Sequence, residues 1–225
     1  MKRNYFLLLA SLMSFASAAQ AHFPNQTPEA DYAESRSLYD RALYSSASEG
    51  FQSILQRVDK QTDLAEQSHC YKVLCAIKLM NRDADEQVHG FLQSYPTSAR
   101  RVELLIEMSE YAFNRRRYKD AKKWLKQLDG VKLPKAQRAA VQFKLGYSYF
   151  LLKAYDLARP QFAAVKASKY PDAQSAQYYY GHIAYLDSND VTALACFEPL
   201  KSHQQFGAVV PYYLAQIYAR NGMDD

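Results

Sequence analysis

The chain has 225 residues, of which 48% are hydrophobic, and a formal net charge of +5 at pH 7. This much apolar material can build a packed core, so the composition excludes a disordered chain. The net charge falls to +3 without Lys2 and Arg3, which is too small to indicate a nucleic-acid-binding protein.

Residues 1–21 differ from the rest of the chain. Lys2 and Arg3 precede an apolar run that is too short for a membrane-spanning helix, and small residues follow as far as Ala21. This pattern is typical of a secretory signal peptide that is cleaved after Ala21 or, as a second choice, after Ala19. No cysteine follows the cleavage point, so we expect no lipid anchor. We predict an exported protein of the bacterial periplasm, without a transmembrane helix.

Residues 22–97 are predicted to form irregular helical hairpins. A Thr-Pro-Glu sequence at 27–29 is typical of a helix start, and Ser-Ala-Ser-Glu at 46–49 matches a capping box. Together they predict a first hairpin from about Pro28 to Asp59.

A repeating pattern runs through residues 98–225. Gly146 and Gly181 lie 35 residues apart, and each is followed by a small residue twelve positions on and a phenylalanine sixteen positions on. An earlier unit is centred on Ser109, 37 residues before Gly146. The residues predicted to pack paired helices together are Gly146, Ala158, Phe162, Gly181, Ala193, Phe197, Ala121 and Ala215.

This signature resembles the tetratricopeptide repeat (TPR). The resemblance implies an all-α fold, in which antiparallel helical hairpins stack into an α-solenoid with a right-handed superhelical twist. A weaker unit precedes the regular ones, with Ala84, Val88 and Phe91 in its second helix but Lys72 where a small residue is expected. The last unit stops before its second helix, so we expect a fragment whose repeats continue beyond Asp225.

The resemblance also implies where partners bind, because TPR arrays hold extended peptides in a groove lined by the first helix of each unit. Residues three before, one after and four after each small residue share one helical face. The predicted groove residues are Phe143, Tyr147, Phe150, Tyr178, His182, Tyr185, Tyr212 and Gln216. Packing between successive units is the alternative role for the same side chains, and the sequence leaves both open.

The segment 115–126 is rich in arginine and lysine, and we call it the basic stretch. Residues 100–144 hold thirteen Lys or Arg against five Asp or Glu, whereas residues 21–99 hold seven against eleven. The stretch is interpreted either as a solvated turn and helix face or as a contact for an acidic partner or an anionic membrane surface. An exported protein meets little nucleic acid, so we expect no nucleic-acid partner.

No set of residues indicates catalysis. His22 at a processed N-terminus could chelate copper, and His69, Cys70, Cys75 and His89 lie near one another in sequence, but none of them has a standard metal-ligand spacing. We therefore expect no catalytic residue, no metal and no cofactor, and we interpret the three cysteines as buried free thiols.

Taken together, the sequence predicts a non-catalytic protein-interaction scaffold of TPR type in the bacterial cell envelope, with other proteins or extended peptides as partners. The alternative is an accessory substrate- or peptide-binding module of a larger envelope enzyme or transport system that continues beyond residue 225.

Overall fold

A computed structural model describes residues 27–222, which form eleven α-helices, two single-turn 3-10 helices and no strand. The prediction of an all-α fold is confirmed. The predicted signal peptide at residues 1–21, its cleavage point and the candidate copper ligand His22 lie outside the described residues.

The helices pack in chain order. They are α1 Pro28–Asp40, α2 Tyr44–Leu55, α3 Asp63–Lys78, α4 Ala84–Ser94, α5 Arg101–Asn114, α6 Tyr118–Leu125, α7 Lys135–Leu151, α8 Tyr155–Lys166, α9 Ala173–Leu186, α10 Asp190–Phe197 and α11 Val210–Arg220. Each odd-numbered helix from α1 to α9 packs against the helix that follows it, and that helix packs against the next hairpin. This arrangement is an α-solenoid of stacked hairpins with α11 at its C-terminal end. None of the helices between residues 27 and 222 is long and apolar enough to cross a membrane.

The turns inside the hairpins share one backbone feature. A non-glycine residue with φ of 57–59° stands at the same place in each of them: Ala42, Met80, Arg116, Lys153 and Ser188. The N–H of the next residue donates to the carbonyl five positions earlier, at 2.8–3.0 Å, which satisfies an orphan carbonyl at the helix end. The left-handed conformation costs a non-glycine residue about 1–2 kcal/mol. Its recurrence indicates that the hairpin packing holds it in place.

These turn residues set the register of the repeat. In each hairpin, the small-residue position of the first helix lies seven residues before the left-handed turn residue. Gly222 is the left-handed residue after α11, and the same spacing holds there. These positions are Ser35, Val73, Ser109, Gly146, Gly181 and Ala215. The second unit is therefore centred on Val73, and the prediction that Lys72 occupies this position is wrong by one residue.

The first hairpin follows the offsets of the regular ones. Ala47 and Phe51 lie twelve and sixteen residues after Ser35, as Ala158 and Phe162 do after Gly146, and both are fully buried. The predicted helix start at Thr27 is confirmed, because its hydroxyl accepts from the N–H of Ala30. The capping box at 46–49 is wrong: α2 begins at Tyr44, directly after the left-handed turn, without a side-chain cap.

Two glycines mark the closest approach between paired helices. A methyl group added at Gly181 would lie 2.7 Å from Cβ of Cys196 on α10, and one at Gly146 would lie 3.0 Å from Cβ of Gln161 on α8. The rings of Phe162 and Phe197 pack over the two glycines. Any larger side chain at these positions would push the helices apart.

The other residues of the predicted packing signature have different surroundings. Ala121, Ala158 and Ala193 on the second helices are fully buried. Ala215 is exposed, because no described helix covers its side of α11.

The close approach at Gly181 leads to a stability prediction. Gly181→Ala should lower the free energy of unfolding by about 1–3 kcal/mol, because the new methyl overlaps Cβ of Cys196. Gly90→Ala on α4 is the matched control. Its added Cβ meets nothing within 4 Å, so it should stabilise the protein by about 0.5–1 kcal/mol through helix propensity. Urea denaturation followed by circular dichroism measures both changes. Equal stability of Gly181→Ala and the wild type would contradict the close helix contact.

Candidate functional site

The predicted groove residues lie on the first helices α7, α9 and α11 and retain exposed surface. Tyr212 is 62% exposed and the other seven are half-buried. The rings also contact each other between hairpins: those of Phe150 and His182 lie 5.4 Å apart. The hydroxyl of Tyr185 hydrogen-bonds the side-chain oxygen of Gln216. These side chains therefore combine repeat packing with a partly open surface.

Two tyrosines that the sequence analysis did not include connect successive hairpins. The ring of Tyr179 lies 5.0 Å from those of Tyr147 and Phe150 in the preceding hairpin. The ring of Tyr213 lies 5.2 Å from that of His182 and 5.0 Å from that of Tyr185. Both stand two residues before the small-residue position of their helix.

In α7, too, the side chain two residues before the small-residue position contacts the preceding hairpin. Lys144 also stands two residues before its small residue, Gly146, and it pairs with Glu110 of the preceding hairpin. The recurrence of tyrosine at 179 and 213, 34 residues apart, was the signal available in the sequence.

An aromatic cavity of about 370 Å³ opens where α5, α7 and α9 meet. Aromatic rings and polar side chains line it: Phe113, Tyr118, Phe143, Tyr147, Tyr179, Asn114, Arg116, Ser175 and Gln205. None of these residues carries a carboxylate. Two predicted groove residues, Phe143 and Tyr147, line this cavity, and the other six do not.

The hydroxyls of Tyr118 and Tyr179 stay protonated in the aromatic cavity. Burial, together with the neighbouring Tyr147, raises the pKa of Tyr179 and that of Tyr118. The charge of Arg116 acts on Tyr118 in the opposite direction, which indicates that the guanidinium lies near this hydroxyl. The cavity thus offers apolar ring faces, hydroxyl donors and one cation, a combination suited to an apolar or aromatic group beside an acidic one.

The basic stretch divides between the outer surface and the aromatic cavity. The guanidinium of Arg115 lies over the ring of Tyr111 at 5.5 Å, and Arg117 pairs with Asp120 at 2.8 Å. Nζ of Lys123 lies 3.1 Å from Nε2 of His89. Among the basic residues from 115 to 126, Arg116 is the one that lines the aromatic cavity.

The three cysteines are buried and unpaired, which confirms the prediction of free thiols. Burial raises the pKa of Cys70 and of Cys75 to about 12, so neither is a thiolate at neutral pH. His69 packs its ring 5.4 Å from that of Phe91. Among residues 27–222, no group of three or more His, Cys, Asp or Glu side chains is placed to hold a metal ion.

Comparison with known proteins identifies the class of fold. No family model matches the sequence, and no curated protein does. Solved structures do match in fold, among them the crystal structure of nearly identical TPR-like repeats assigned to a kinesin light chain of Podosopora anserina. The alignment covers 88% of this chain and 99% of that one, with a TM-score of 0.54 and 12% sequence identity. The chain therefore has a TPR-like solenoid fold, as the sequence signature implied.

The surroundings of His182 lead to a prediction on acid stability. Its ring lies between those of Phe150 and Tyr213, and burial lowers its pKa below the ordinary value. Between this lowered pKa and about 6.5, the unfolded chain binds a proton that the folded chain does not. The free energy of unfolding should therefore fall as the pH decreases through this window.

His182→Phe keeps an aromatic ring and removes the proton, so it should reduce this acid sensitivity. Part of the sensitivity should persist, because burial and the charge of Lys72 lower the pKa of His69 as well. Urea midpoints measured across the window test the idea. Parallel losses of stability in His182→Phe and the wild type would show that His182 does not contribute.

Proposed function

We propose that this protein is a non-catalytic interaction scaffold that binds an extended peptide of a partner protein along the aromatic surface of α7, α9 and α11. The observation that carries the proposal is the 370 Å³ aromatic cavity, in which rings from successive hairpins surround an open space. The TPR-like fold supports a protein or peptide as the partner.

The aromatic side chains favour binding for an energetic reason. Contacts between hairpins already hold the rings of Tyr147 and Tyr179 in place, so little rotamer entropy is lost when a partner covers them. Large, preordered aromatic surfaces of this kind commonly supply most of the binding energy of an interface. Asn114 and Gln205 add side-chain amides that can pair with the backbone of a peptide.

The charges of the aromatic cavity favour one kind of peptide. Arg116 is exposed and lines the cavity, where no carboxylate opposes it. An acidic residue next to an aromatic or aliphatic one would place its carboxylate near Arg116 and its neighbour among the rings. The acidic partner proposed for the basic stretch is therefore a peptide with this pair of residues.

Peptide selection tests the groove. A phage-displayed library of extended peptides should yield binders that carry an acidic residue beside an apolar one. Ser175→Trp fills the aromatic cavity and Arg116→Gln removes its charge, so each should weaken binding by about tenfold or more. Both changes leave the buried core intact, so melting temperatures should stay near that of the wild type.

Two variants on other surfaces serve as matched controls for the peptide experiment. Ala164→Trp adds the same side chain on α8, and Lys119→Gln removes a charge from the basic stretch outside the aromatic cavity. Both should bind selected peptides as the wild type does. Undiminished binding to Ser175→Trp would rule out the aromatic cavity as the peptide site.

We further propose that the scaffold acts in the bacterial cell envelope. The support is the sequence pattern of residues 1–21, which is typical of a cleaved secretory signal. Expression of the full chain in a Gram-negative host should deliver a mature protein that begins at His22 to the periplasmic fraction. A chain without residues 2–21 is the control and should stay in the cytoplasm. Retention of the full chain, uncleaved, in the cytoplasm would contradict the proposal.

A further inference from the structure

A larger cavity, of about 530 Å³, lies in the N-terminal hairpins, away from the aromatic surface. It is formed by α2, by one face of α3, by the end of α4 and by the turn before α3. Leu55 is the one aliphatic residue of its lining, which consists of Gln52, Leu55, Lys60, Gln61, His69, Lys72, Ser94 and Tyr95. We call it the lysine cavity. It contains two lysines and no carboxylate.

Lys72 occupies a position that is apolar and buried in three other first helices. It directly precedes the small-residue position Val73, and the equivalent residues of α5, α7 and α11 are Met108, Leu145 and Leu214. Those three side chains are 0%, 8% and 6% exposed. In α3 a half-buried lysine therefore stands where these helices place a core side chain.

An equivalent cleft further along the solenoid shows what this replacement changes. Leu145 and Gln142 of α7 stand at the positions of Lys72 and His69, and they line a cavity of about 220 Å³. Leu125, Leu128 and Val141 supply much of that lining. The lysine cavity is thus more than twice as large as its counterpart, and its lining contains one aliphatic residue instead of several.

Within the described part of the chain, both lysines of the lysine cavity are without a carboxylate partner. Lys78 and Lys144 pair with glutamates, whereas neither Lys60 nor Lys72 pairs with any carboxylate between residues 27 and 222. The charge of Lys72 also contributes to the lowered pKa of His69, which places the two side chains near each other.

Carboxylates and hydroxyls around the lysine cavity have partners of their own. Glu66 accepts a hydrogen bond from Ser98 at 2.6 Å, and Asp59 accepts from the N–H of Gln61 at 2.8 Å. The hydroxyl of Tyr95 donates to the carbonyl of Lys60 at 3.2 Å, which ties the turn to the end of α4. A half-buried ammonium without a counter-charge is unfavourable, and an anion in the cavity would supply that charge.

We propose that the lysine cavity binds the phosphate group of a small phosphorylated molecule. Lys60 and Lys72 neutralise the phosphate, and Gln52, Gln61 and Ser94 donate hydrogen bonds to its oxygens or to hydroxyls of the attached group. The volume exceeds what a phosphate group alone fills, which leaves room for the organic part of such a molecule.

Titration at constant, low ionic strength tests the proposal on the full-length mature protein. The probes are inorganic phosphate, glycerol 3-phosphate and glycerol, and the readouts are calorimetry and the NMR signal of the His69 ring, assigned with His69→Gln. Glycerol 3-phosphate should bind saturably and shift the His69 signal, and glycerol should not.

Tighter binding of the ester than of inorganic phosphate supports a phosphorylated molecule. Equal binding of the two probes would overturn the organic part of the proposal.

Variants separate binding from folding. Lys72→Met introduces the side chain found at position 108, so it should raise the melting temperature and weaken binding of glycerol 3-phosphate by about tenfold or more. Lys60→Gln, on the exposed turn, should weaken binding with little effect on melting. Lys135→Met is the control for charge, because Lys135 is exposed at the start of α7. Wild-type affinity in both Lys72→Met and Lys60→Gln, or no saturable binding of either phosphate probe, would overturn the site.

Discussion

The separation of paired helices depends on the residue seven positions before each left-handed turn residue. Gly146 and Gly181 present no side chain to the helix that crosses them. Ser35 and Ser109 fill the same position with hydroxyls that donate to carbonyls of their own helix, at 2.7 and 2.8 Å, so burial leaves no unpaired group. Close approach then lets the large apolar residue sixteen positions on fill the space between the helices: Phe51, Leu125, Phe162 or Phe197. The small residue, the large residue that covers it and the left-handed turn thus keep fixed spacings in these hairpins.

The aromatic surface follows from the way the hairpins stack. Side chains two residues before the small-residue position contact the preceding hairpin. At this position, the rings of Tyr179 and Tyr213 pack against two rings of the preceding first helix. Rings that are held from one side keep their other side open to solvent. The same side chains therefore stabilise the stack and form the surface offered to a partner. Packing and binding are not exclusive alternatives for residues such as Tyr147.

The sequence predicts the elements whose signals are local or strictly periodic. Helical periodicity, the glycines at 146 and 181 and the cap at Thr27 all lie in short windows, and the structure agrees with them. The first hairpin has a weaker sequence signature, because a serine replaces the glycine and the left-handed turn determines where α2 begins. No local or periodic signal in the sequence predicts the lysine cavity. Lys72 departs from the repeat pattern of the sequence, but the lysine cavity depends on how α2, α3 and α4 are placed in space.

The lysine cavity and the aromatic cavity belong to different parts of the solenoid, and this separation limits how they influence each other. In a solenoid each hairpin contacts only its neighbours, so a ligand at Lys72 stabilises chiefly the hairpins around α3. The hairpin α5–α6 lies between the two sites. It contacts α3 on one side, and it contributes Phe113 and Arg116 to the aromatic cavity on the other. Any coupling between the two sites must therefore pass through this hairpin. In α5, Met108 packs in the N-terminal core and Ala112, one helical turn on, packs in the next one.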